Sequence, residues 1–163
     1  MHLFAPLLLQ AASMAMPAAE TCPATPTTLP AALVGWARPA PLAAGSTAAA
    51  APALLLGHAV RATLAPAAAV TATIPSKPAA AGSSSGLFSF IAPVAGRYQV
   101  ALDAPVWVDV VAGGASLASV AHGHGPACSG IRKLVSFDLK PGRHLLQLVG
   151  SAAPAVTVMV TRD

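Results

Sequence analysis

Acidic residues are scarce in this chain. Only five occur among 163 residues (Glu20, Asp103, Asp109, Asp138 and Asp163), and Glu20 is the single glutamate. Glycoside cleavage needs two placed carboxylates, and here they would have to come from four scattered aspartates, one of them terminal. Aromatics are 4% of the chain, and the nine lysines and arginines are dispersed, with only Arg132 and Lys133 adjacent. A nucleic-acid surface needs a basic stripe with stacking aromatics, so the formal charge of +4 does not imply one. Ser129 lies between Cys128 and Gly130, but no Gly-x-Ser-x-Gly elbow is present, and a hydrolase nucleophile has no signature here. No apolar run reaches the length of a membrane span without proline or polar breaks. No repeat of fixed period occurs.

Two cysteines are present, Cys22 and Cys128. The first residues bear on their state. Residues 1–19 read as a secretory signal, with Leu3, Phe4, Leu7, Leu8 and Leu9 as a short apolar core before small residues. The expected location is therefore periplasmic or secreted. An even pair of cysteines in an oxidising compartment reads as a disulfide between Cys22 and Cys128. The alternative is Cys128 as a free thiolate or ligand.

Residues 20–56 read as an irregular, Pro/Ala-rich N-terminal arm, in which Pro23, Pro26, Pro30, Pro39 and Pro41 forbid a continuous helix. One helical turn is expected at Leu33–Trp36, with Trp36 packed on the body. Residues 57–163 read as the folded domain. Period-2 alternation marks strands over 60–64, 70–74, 87–91, 97–102, 106–111, 116–121, 134–139, 144–149 and 156–160. Val106, Val108 and Val110 point inward, with Trp107 and Asp109 outward. Gly113-Gly114 and Pro141-Gly142 mark tight turns. Short strands at near-regular spacing predict an all-β fold, an antiparallel β-sandwich of jelly-roll type.

Phe88-Ser89-Phe90, Ala95-Gly96-Arg97-Tyr98, Trp107-Val108-Asp109-Val110 and Phe137-Asp138-Leu139 with Pro141-Gly142-Arg143-His144 together resemble the bacterial pre-peptidase C-terminal domain. The resemblance covers residues 87–160. It implies a small secreted jelly-roll sandwich that accompanies exported enzymes. The chain as a whole is similar to small exported proteins of alphaproteobacteria, some of which carry a homogentisate 1,2-dioxygenase label. Against that label, such a dioxygenase resembles a much longer, two-part cupin protein.

The stretch from His122 to Lys133 concentrates the chemistry, and the pre-peptidase pattern does not require it. His122 and His124 are spaced to share one face of a strand, and His144 follows a Pro-Gly turn. These three are the candidate metal ligands, for iron, zinc or copper. A 2-His-1-carboxylate iron site would have to recruit Asp103, Asp109 or Asp138. The opposing reading places the histidines in a surface loop. Trp107 and Asp109, on one outward face, suit a sugar ring and its hydroxyls. Arg132 and Lys133 suit an anion. The candidate ligand-binding residues are thus Trp107, Asp109, His122, His124, Arg132 and Lys133. The favoured function is a non-enzymatic binding or accessory module of the cell envelope, with a glycan or protein ligand and no cofactor. The alternatives are a metal-binding protein or small metal enzyme, and a purely structural envelope protein.

Overall fold

The computed structural model describes Cys22 and residues 28–163. The expected signal segment lies outside the described residues.

The protein is an all-β sandwich. A 3-10 helix at Ala31–Ala37 precedes β1 at Ala40–Ala43. Then follow β2 at Val60–Thr63 and β3 at Ala65–Pro66. The long strands are β4 (Ser84–Ala92), β5 (Gly96–Leu102) and β6 (Trp107–Ala112). Short β7 (Ala115–Ser116) and β8 (Ser119–Gly123) lead to β9 (Lys133–Leu139), β10 (Gly142–Ser151) and β11 (Ala155–Arg162). One sheet has the order β1-β2-β11-β5-β9-β8, the other β3-β4-β10-β6-β7.

Alternation along the strands builds the core between the sheets. Phe88, Phe90, Val108, Val110, Leu146 and Leu148 meet Tyr98, Val100, Val135, Phe137, Val158 and Val160. All of these are buried. The outer face of the six-stranded sheet is covered as well. There Leu33 and Trp36 of the 3-10 helix pack on Ala101, Ile131 and Met159. Gly35 makes this docking possible, because a side chain there would run into the Gly57 carbonyl.

Three local expectations change. The arm is not wholly irregular: β1 pairs in parallel with β2. Pro41 is tolerated because β1 is an edge strand, where a missing N–H costs little. Arm residues also tile the outer edge of β4, through bridges Gly45–Leu87 and Ala53–Ser89, and Leu54 enters the core. Residues 70–74, expected as a strand, form no ladder. Proline brackets the segment, and β10 already has β4 and β6 on its two sides. The expected return strand after Gly113-Gly114 splits in two. β7 stays beside β6, while β8 crosses to the other sheet and pairs with β9.

Candidate functional site at the open end of the sandwich

β6 begins at Trp107 and β9 at Lys133, while β8 ends at Gly123 and β10 at Ser151. These four ends meet at one mouth of the sandwich. Lys133 lies two residues from Val135, and His122 lies directly opposite Val135 in the ladder. Residues in those relations project to one side of a sheet. Val135 is in the inter-sheet core, so Lys133 and His122 face the gap between the sheets where it opens to solvent.

Lys133 is the centre of this mouth. Its Nζ donates to the Val106 carbonyl at 2.6 Å. Burial lowers its pKa below the ordinary lysine value, and the positive charge of Lys77 lowers it further. Lys133 and Pro105 line two adjoining depressions. One, of about 320 Å³, is completed by Lys77, Trp107 and Gly150. The other, of about 410 Å³, is completed by His122, His124 and Arg132. Four of the ligand-binding residues expected from sequence, Trp107, His122, His124 and Arg132, therefore lie around a fifth, Lys133.

Asp109 is the exception, and its expected role is corrected. It does lie on the same face of β6 as Trp107, but it is only 8% exposed. Its Oδ1 accepts from the Trp107 indole Nε1 at 3.1 Å, and its Oδ2 accepts from Ser76 Oγ and Gln147 Nε2. The Gln147 Oε1 in turn accepts from the Thr73 amide at 2.9 Å. The segment around Thr73–Lys77 is thereby strapped across the outer face of the five-stranded sheet. Asp109 holds the strap and the indole, so it is a positioning residue and has no free face for a ligand. Trp107 stays 44% exposed, with Lys77 Nζ 5.7 Å from its ring centroid, in the range of a cation–π contact.

The loop from His124 to Arg132 is held from several sides. The disulfide Cys22–Cys128 anchors it to the N-terminal arm. The Trp36 indole donates to the Ser129 carbonyl at 3.0 Å. Gly125 N–H donates to the Ile131 carbonyl at 3.1 Å. A side chain at Gly125 would collide with Ile131. His124 Nδ1 lies 2.7 Å from the Arg132 carbonyl. A carbonyl only accepts, so Nδ1 carries the proton and Nε2 is turned away from that bond.

The three-histidine metal site is not assembled. His144 sits in β10 of the other sheet and is buried, stacked on Phe90 at 5.4 Å with Nδ1–H donating to the Gly142 carbonyl. It is a core histidine. Asp103 pairs with Arg61 and Asp138 with Arg97, and Asp109 is bound as described. Among the described residues no three of His, Cys, Asp or Glu come together around a common point. Strand assignment explains this: the Pro-Gly turn before His144 leads into β10, in the sheet opposite the histidine pair.

Lys77 was not anticipated from sequence. It lies in a proline-punctuated segment with no periodic signal. The one available hint is rarity, since lysine occurs only at 77, 133 and 140, and two of the three meet here. The cleft lined by Ala67, Ala80 and Ser83 is larger than the Trp107 depression, at about 380 Å³, but its lining has no ionisable side chain and offers no chemistry. No helix among the described residues is long and apolar enough to cross a membrane. No family model, no curated protein and no solved structure matches the chain.

Proposed function

We propose that this protein is an exported, non-enzymatic binding module of the cell envelope, and that a glycan docks at the mouth of the sandwich. The observation that carries this reading is the placement of an exposed, edge-anchored Trp107 beside Lys133 at the junction of two open depressions. An indole whose N–H is already satisfied presents its apolar face to a ring, and such faces stack on sugars. The two depressions are shallow and contiguous, which suits an extended polymer better than an enclosed small molecule. The resemblance of residues 87–160 to accessory domains of exported enzymes agrees with the same role.

The reading is tested by indole fluorescence during titration with envelope polysaccharides, neutral and acidic. Saturable change is expected with at least one polymer, and Trp107→Ala should abolish it while Trp36 emission persists. A truncated stacking aromatic costs about 1–3 kcal/mol at comparable ring-stacking sites, hence about tenfold or more in affinity. A complete panel without response would leave the protein as a structural component.

A further inference from the structure

The charge around the mouth is unbalanced. Lys77, Arg132 and Lys133 line the two depressions together with His122 and His124. Among the described residues the ion pairs are Arg61–Asp103 and Arg97–Asp138, so none of the three cations at the mouth has a carboxylate partner. The one acid on the adjoining sheet face, Asp109, is buried and its oxygens are occupied by Trp107, Ser76 and Gln147. Both lysines line one depression, and the positive charge of Lys77 disfavours the ammonium form of Lys133. In a chain with 9% charged residues, this is a local surplus of positive charge that the fold leaves uncompensated. An anion placed between the lysines removes their repulsion and gains charge-assisted hydrogen bonds. Arg132 adds a planar fork that matches an oxyanion. A neutral sugar uses none of this.

We infer that the ligand is an acidic glycan, with a sugar ring on Trp107 and its anionic substituent between Lys77 and Lys133, the polymer continuing past Arg132 and the histidines. This rests on the glycan-binding reading above and adds the chemical class. The anion can be a carboxylate or a sulfate, and the experiment separates the two.

Binding of the full chain, with its disulfide intact, is measured against two matched pairs. Polygalacturonate is compared with its methyl ester, which keeps the ring and removes the charge. Dextran sulfate is compared with dextran. At least one charged polymer should bind about tenfold or more tightly than its neutral partner, and the preferred pair identifies the anion. Lys133→Met and Lys77→Gln should each remove most of that preference, and Trp107→Ala should weaken binding of the charged polymer. Lys77 is exposed and on a loop, so its variant keeps the test valid should Lys133→Met fold poorly. Equal binding of charged and neutral partners overturns the inference and leaves the glycan reading standing. Binding of polyphosphate as tight as the best glycan, indifferent to Trp107→Ala, also overturns it, because it marks simple polyanion adhesion. No binding to any polymer removes both.

Discussion

Lys133 joins the core of the fold to the proposed site. Its stem starts from a strand position that faces the core, and its ammonium reaches the mouth, where Val106 supplies one acceptor. Burial and Lys77 hold its folded pKa below the ordinary 10.5. The sign of the pH effect follows. Between the lowered folded value and the ordinary unfolded value, the unfolded chain binds more protons, so stability rises with pH across that window. Lys133→Met should lack this rise, and the difference between the two urea midpoints, followed from neutral to alkaline pH, measures it. Ligand binding should behave oppositely. An acidic ligand prefers the ammonium form, so its affinity should begin to fall at a lower pH than an ordinary lysine would produce. The groups facing Lys133 in the two depressions are Lys77, Arg132, His122 and His124. Repeating the titration with Lys77→Gln removes the charge that lowers the Lys133 pKa and should move the fall to higher pH.

At the scale of the element, the strap at Thr73–Lys77 and the loop at His124–Arg132 make the site, and both are irregular. Irregular backbone holds position only when its polar groups are satisfied by something rigid. The strap takes Gln147 and Asp109 from β10 and β6, and the loop takes Trp36 and Cys22 from the arm. Asp109→Ala leaves Ser76 Oγ and the Trp107 indole without this acceptor, while Gln147 Nε2 keeps only the Ile74 carbonyl. The expected cost is about 1–3 kcal/mol, seen in urea denaturation. Faster hydrogen exchange at the Thr73 amide should accompany it, with the β5–β11 ladder unchanged. Unchanged exchange at Thr73 would show that the strap is held by something else. The strand pattern itself was legible because alternation needs only local sequence: Tyr98, Val100 and Leu102 inward and Arg97 and Gln99 outward is how β5 stands. Residues 70–74 misled for the same reason, since Val-Thr-Ala-Thr-Ile alternates well, but it lies against β10, whose two sides are taken by β4 and β6.

At the scale of the whole molecule, the sandwich is tied across its length by one covalent link. Cys22 and Cys128 are separated by 106 residues. In the chain-entropy picture, closing a loop of that size limits the unfolded state by up to about 4.7 kcal/mol, and disulfides typically contribute about 2–4 kcal/mol. The double variant Cys22→Ser, Cys128→Ser should fall in the latter range by urea denaturation. Because Cys128 sits in the site loop, acidic-glycan affinity should drop as well. Mass spectrometry of the native protein under non-reducing conditions should find no free thiol, and two free thiols would remove the link from this account.

The sequence by itself determined the fold class, the cysteine pair and most of the residues at the mouth. Hydrophobic alternation reports which face of a strand is buried, and scarce polar residues stand out in an alanine-rich chain. Tertiary structure alone decided which of those residues work together. His144 left the histidine pair because β10 lies in the opposite sheet. Asp109 changed from a ligand contact to a support because a distant segment folds over it. Lys77 entered because that same segment carries it to Trp107. Each of these depends on contacts between residues far apart in the chain, and no local period encodes which strand lies beside which.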